Sequence, residues 1–185
     1  HPAPMKSSGI DKLWHPLPAC TDARLRHWLL DRGSLTRRIQ SRCDRFSVEV
    51  LSQRIAAADR DEYAVLGARA GARCAVREVS LNCGQRPVIF AHSVVEPRAL
   101  RGPWRMLATL GARPLGSALF ADPRIKRHAL RYRRLNPRHE LYRRACELLE
   151  QPPACLWARR SGFVRHGSRL LVTEVFLPAI LELGP

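Results

Sequence analysis

Two stretches, "RCAVREVSLNCGQRPVIFAHSVV" (73–95) and "CLWARRSGFVRHGSRLLVTEVFLP" (155–178), each read as strand, tight turn, strand. β-Branched and aromatic residues fill the arms, while "NCGQ" and "HGS" supply the turn chemistry. Strands joined by so short a turn pair antiparallel, so these two hairpins commit the chain to an antiparallel sheet. "FSVEVL" (46–51) alternates and adds another strand. Helical pieces lie around them. In "DARLRHWLLDR" (22–32), Leu25, Trp28 and Leu29 recur at helical spacing, with Thr21 as the expected cap and Gly33 as the stop. Ser34 caps a second short helix, "LTRRIQSR". "GPWRMLATLG", with Pro103 at its start and Gly111 at its end, and then "RPLGSALF" read as two further helical pieces. Residues 138–150 put Leu141, Ala145, Leu148 and Leu149 on one helical face ahead of Pro152 and Pro153. The expected fold class is α+β, with a single antiparallel sheet, helices packed on it, and room for a site between sheet and helical cover.

A chain of 185 residues with 45% hydrophobic content suits one domain spanning 1–185. Residues 1–20 are expected to be an N-terminal arm without regular order; "HPAPMKSSGI" has no apolar leader segment, and Met5 is a candidate start. No apolar run reaches the roughly 18–20 residues that span a bilayer. The cysteines (Cys20, Cys43, Cys74, Cys83, Cys146, Cys155) form no C-x-x-C pair and no zinc-like cluster, so reduced thiols in a cytoplasmic protein are expected. The net charge is +16, from 32 Lys+Arg against 16 Asp+Glu, and only Lys6, Lys12 and Lys126 are lysines. The densest basic run, 124–144, holds only Tyr132 and Tyr142 as aromatics that could stack on bases, and no nucleic-acid motif. The pair of helices over 22–42 has a helix-turn-helix shape but no evident base-reading face. No nucleic-acid partner is therefore expected; the charge fits a solvated arginine-rich surface or a field for an anionic small substrate.

The sequence has no G-x-S-x-G, Walker loop, H-E-x-x-H or Gly-rich dinucleotide fingerprint, so no metal or organic cofactor is expected. Two charged residues stand out because they interrupt apolar strands. Glu174 sits in "RLLVTEVFLP", and Arg77 shares a strand face with Ala75, Val79 and Leu81 while Glu78 points the other way. A buried charge is costly unless it is paired, hydrogen-bonded or neutralised. Either these two form a structural ion pair, or both face a cavity in which Arg77 holds a ligand carboxylate and Glu174 meets a hydroxyl or a proton. Pro114 can start a short helix whose first N–H groups, from Leu115 onward, are free to meet an anion. His92 and His128 show no evident partners and receive no role.

Five segments in order, "WLLDRGSLTRR", "VREVSL", "RPLGSALF", "WARRSGF" and "LLVTEVFLP", resemble the chorismate pyruvate-lyase family from about residue 26 to 180. The resemblance implies an antiparallel sheet of about six strands with helical flaps over an enclosed site. It implies a cofactor-independent lyase that turns chorismate into 4-hydroxybenzoate and pyruvate for ubiquinone synthesis, in the cytoplasm and as a monomer. By the same resemblance Arg77 binds the substrate carboxylate, Leu115 adds a main-chain N–H, Glu174 lies near the ligand hydroxyl, and Leu35 borders the site from a flap. A family member has Met where this chain has Leu35, and 131–153 is longer here than the usual connection. An alternative is a non-catalytic sensing domain of the same fold type, as found in bacterial transcription regulators. About 45 residues precede the first strand, too few for a winged-helix segment ahead of such a sensor.

Overall fold

The computed structural model describes residues 13–184. Its elements in chain order are α1 (Ala23–Leu30), α2 (Leu35–Gln40), β1 (Phe46–Ala57), α3 (Tyr63–Leu66), β2 (Arg73–Cys83), β3 (Arg86–Val95), α4 (Leu115–Ala121), β4 (Lys126–Arg127), β5 (Arg131–Leu135), α5 (Glu140–Cys146), β6 (Leu156–Arg165) and β7 (Ser168–Phe176). Short 3-10 turns cover Pro97–Arg101, Arg105–Thr109 and Pro178–Leu183. The strands form one sheet of seven in the order β1-β2-β3-β7-β6-β4, with β5 also on β6. Every pairing is antiparallel.

Both expected hairpins are present. Gly84 at φ 61° and Gly167 at φ 76° take the left-handed turn positions, where a side chain would be strained. The sheet exceeds the expected six strands because β4 and β5 succeed one another along the outer edge of β6. Their sequence, from Lys126 to Leu135, has no apolar alternation; backbone pairing to β6 makes them strands, and in β5 only Tyr132 and Leu135 are buried. Three local readings also change. Asp22, not Thr21, caps α1: its Oδ1 accepts from the N–H groups of Arg24 and Leu25 at 2.9 and 3.1 Å. "GPWRMLATLG" winds only a 3-10 turn over Arg105–Thr109, anchored by the fully buried Trp104. α5 stops at Cys146, and Leu148 and Leu149 pack from the turn beyond it.

The cysteine expectation is corrected as well: Cys43 and Cys83 are joined by a disulfide, with Cα atoms 5.7 Å apart and a separation of 40 positions in sequence. The β1–β2 register sets Phe46 opposite Cys83, which brings the segment leaving α2 beside the β2–β3 turn. Sequence spacing cannot show that neighbourhood. Cys20, Cys74, Cys146 and Cys155 are free.

Each sheet face has its own cover, which explains why β7 reads as an almost unbroken apolar run. On one face α1 and α2 pack Trp28, Leu29, Leu35 and Ile39 against Val79, Leu81, Ile89 and Phe176. α4 and the 3-10 turns extend that cover with Trp104, Leu107 and Leu119 over Phe163 and Leu170. On the other face α5 and Trp14 pack on Phe90, Ala158 and Val175. The segment 131–153 thus supplies an edge strand and this second cover, and His15 extends the pairing by a bridge to Tyr132.

Candidate active site

Antiparallel register builds the floor of a cavity from alternate residues of neighbouring strands. One row across the sheet runs Arg77, Ser93, Val172, Ser161 through β2, β3, β7 and β6. The next runs Val79, Ala91, Glu174, Arg159. The roof comes from Gly33, Leu35 and Thr36 around the start of α2, and from Pro114, Leu115 and Gly116 at the start of α4. Gly116 allows that roof to close: a Cβ there would lie 3.0 Å from Thr36 Oγ1 and 3.5 Å from Ser34 Oγ. Ser34 in turn caps α2, accepting from the Arg37 N–H.

All four residues singled out from the sequence line this one cavity. Leu35 and Leu115 are each the first residue of a helix, α2 and α4. Pro114 provides no side-chain cap for α4, so the amide groups of its first turn are not engaged by one. Arg77 is 7% exposed. Its Nη2 donates to the carbonyls of Gly111 at 2.8 Å and Arg113 at 3.3 Å, which fixes the guanidinium beneath the approach to α4. Its Nε is buried without a hydrogen-bond partner, and burial pushes the guanidinium pKa down.

Glu174 does not pair with Arg77. Its partner is Arg159, whose Nε donates to Glu174 Oε2 at 2.6 Å. Arg159 is fully buried, and its Nη1 donates to the carbonyls of Trp28, Leu29 and Asp31 at 3.3, 3.3 and 2.5 Å. A guanidinium there satisfies the open end of α1 and meets the negative end of its dipole. Arg38, stacked 4.1 Å from the Trp28 ring centroid, binds the same helix end through the His27 carbonyl and Asp31.

The sequence reading missed Arg127. This residue of β4 lines the cavity, donates from Nε to Ser161 Oγ at 3.0 Å and from Nη1 to the Arg32 carbonyl at 2.8 Å, and lies over Phe120 and Phe163. Burial lowers its pKa, and the charge of Glu174 works against that shift. No pattern could have separated it from the surrounding arginine-rich run, because β4 spans only two residues.

The opposite face holds a second set of charges. His92 was given no partners from the sequence, yet Glu78 lies 2.8 Å from Nδ1 and Glu62 2.8 Å from Nε2. The Nδ1 contact is an aligned hydrogen bond; the Nε2 contact is a charge contact without that alignment. Burial works to lower the imidazole pKa, but the two carboxylates overcome it and raise it to about 9. Arg144 of α5 joins Glu78 and Asp59, and Asp61 collects Arg133, His139 and the Trp14 indole. Asp59, Glu62 and His92 bring potential metal-ligand atoms within 4.8 Å of one another. All three are engaged in the ion network, and the sheet separates them from the cavity.

The chorismate lyase family model matches residues 18–183. A probable chorismate pyruvate-lyase of Nitrosospira multiformis is 52% identical over 172 residues, covering 92% of this chain and 96% of the relative. One of Nitrosomonas europaea is 50% identical over 170 residues with the same coverage, and one of Azoarcus is 49% identical over 187 residues, covering 99% of this chain and 96% of the relative. Among solved structures, the effector domain of PhnF from Mycobacterium smegmatis has a TM-score of 0.55 at 14% identity, covering 80% of this chain and 91% of that one. A GntR-family transcriptional regulator from Bacillus cereus has a TM-score of 0.53 at 13% identity, covering 72% and 92%. At such identities the likeness is one of fold. The family match spans nearly the whole chain and rests on relatives at about half identity; the chain belongs to the chorismate lyase family.

Proposed function

We propose that this protein converts chorismate to 4-hydroxybenzoate and pyruvate, and so supplies the ring of ubiquinone. The observation that carries the reading is one cavity with an unpaired, buried guanidinium at Arg77, helix-start amides at Leu115, and a carboxylate at Glu174. The ring carboxylate of chorismate meets Arg77 and the Leu115 N–H, and its ring hydroxyl donates to Glu174. Leu35 borders the ligand from α2. The ether bond between ring carbon and enolpyruvyl oxygen breaks, and the carbon bearing the hydroxyl loses its hydrogen. The ring becomes aromatic, and the departing enolpyruvate gains a proton to give pyruvate. Aromatisation supplies the driving force, so positioning and charge stabilisation suffice and no cofactor is invoked. A closed roof also holds the flat product, which makes product release slow.

The protein works as a monomer, in the cytoplasm, without a nucleic-acid partner, and its net charge of +16 favours encounter with a dianion. No helix among the described residues is long and apolar enough to cross a membrane. The Cys43–Cys83 bond is unusual for a compartment that keeps thiols reduced. The test is turnover of chorismate by purified protein without added metal, followed by the absorbance of the aromatic product. Arg77→Ala should mainly raise KM, and Glu174→Gln should mainly lower kcat. Absence of product from the wild type would sink the lyase. It would favour the sensing-domain reading that the fold likeness to the PhnF effector domain supports.

A further inference from the structure

Chorismate carries two carboxylates and its aromatic product only one. Arg77 answers the ring carboxylate, which both molecules share. The second carboxylate belongs to the enolpyruvyl group and leaves with pyruvate, so a site that recognises it distinguishes substrate from product. This inference rests on the proposed lyase activity.

Three observations single out one residue. Arg77 and Arg127 come from opposite sides of the cavity, on β2 and β4, with β3, β7 and β6 between them. That is about 19 Å between strand axes at about 4.8 Å per strand, a span that two long side chains reaching inward narrow to the size of a small ligand. Second, among the described residues neither guanidinium pairs with a carboxylate, whereas Glu174, the acid of this cavity, is already bound to Arg159. The cavity wall therefore carries a surplus of positive charge from Arg77 and Arg127, which suits a dianion. Third, Arg127 is held from behind. Its Nε is fixed by Ser161, its Nη1 by the Arg32 carbonyl, and its plane by Phe120 and Phe163 at 5.2 and 5.6 Å. Among the described residues no hydrogen bond takes Nη2. Arg127 is half-buried, and a guanidinium edge left free toward a cavity forms strong charge-assisted bonds with a carboxylate that enters it.

We propose that Arg127 binds the carboxylate of the enolpyruvyl group, as the second anchor of the substrate and the one its aromatic product lacks. Ser161 is its positioning residue, and the Arg32 carbonyl links this anchor to the α1–α2 connection.

The experiment compares two constants in each protein: KM for chorismate and the inhibition constant of 4-hydroxybenzoate. Arg127→Gln should raise KM by about 10- to 100-fold, the loss expected for a charged hydrogen bond, and leave the inhibition constant within about threefold. Arg127→Lys, which keeps the charge and loses the fork, should raise KM by a smaller factor with the same indifference to product, and it serves if the Gln variant does not fold. Arg77→Gln should weaken both ligands together. Parallel loss of substrate and product affinity in the Arg127 variants would overturn the proposal, because Arg127 would then only hold the roof. So would an unchanged KM. A wild type that makes no aromatic product overturns the lyase reading and this inference with it. A wild type that turns over while the Arg127 ratio stays fixed overturns the inference alone.

Discussion

Arg159 is the residue on which the site's carboxylate and its roof both depend. One side of its guanidinium binds Glu174, and the other closes the C-terminal end of α1. Truncating it leaves a carboxylate and several helix-end carbonyls without their donor at once. Arg159→Met is therefore expected to destabilise the fold by about 3–5 kcal/mol, the range for breaking one side of a buried charge pair. Urea unfolding measures that figure, and a cost below about 1 kcal/mol would mean that the contact is not formed in solution. Turnover should fall too, because Glu174 is no longer held in place. In a double-mutant cycle with Glu174→Gln, the kcat losses should be strongly non-additive. Glu174 and Arg77 were legible from the sequence because each interrupts an apolar strand. Their relation was not: an ion pair between them and two facing roles predict the same alternation. Only the register of β6 on β7, which sets Arg159 opposite Glu174, separates the two.

At the scale of elements, α2 and α4 close the cavity by bringing their N-terminal ends together, and Gly116 sets how near they come. An alanine at 116 would meet Thr36 Oγ1 at 3.0 Å, and both are anchored in short helices with little freedom to move. Gly116→Ala should therefore push α4 outward, shift the Leu115 amide, and weaken 4-hydroxybenzoate binding by about 1–3 kcal/mol. Calorimetric titration with 4-hydroxybenzoate tests this, and unchanged affinity would show that the close approach does not govern the site. Ser34 as the cap of α2 and Pro114 at the entry to α4 were readable from local chemistry. The meeting of the two helices was not, since about 80 residues separate them in sequence and sheet order alone brings them together.

At the scale of the whole molecule, the ion network under the sheet should set the pH range of stability. The native state holds a proton on His92 up to about pH 9, against 6.5 for a free imidazole. The folded form therefore binds more protons than the unfolded form between those values, so this contribution is complete below 6.5 and lost as pH rises through 9. Glu78 acts in the opposite sense. Burial would raise its pKa, but His92 and Arg54 hold it at about 2, against 4.5 when free. Its contribution is present above 4.5 and lost as pH falls through about 2. The urea midpoint should therefore be highest between about pH 5 and 6.5 and decline toward pH 9. His92→Gln, which leaves Glu62 and Glu78 facing a neutral group, should cost about 3–5 kcal/mol at pH 6 and flatten the alkaline decline. A wild-type midpoint that does not change from pH 6.5 to 9 would rule out a protonated His92.

By itself the sequence determined the antiparallel hairpins, the α+β class, the cap at Ser34 and the helix start after Pro114. These depend on turn chemistry, alternation and capping within a few residues. It also marked Arg77 and Glu174, because a charge inside an apolar strand is conspicuous locally. The tertiary structure decided the rest: Arg159 as the partner of Glu174, Arg127 as a wall of the cavity, the Cys43–Cys83 bond, and the enclosure of His92 between two glutamates. Each of these joins residues distant in the chain, and none leaves a local trace. Arginine is common on this surface, so the few that are buried are distinguished only by where the sheet and its two covers place them.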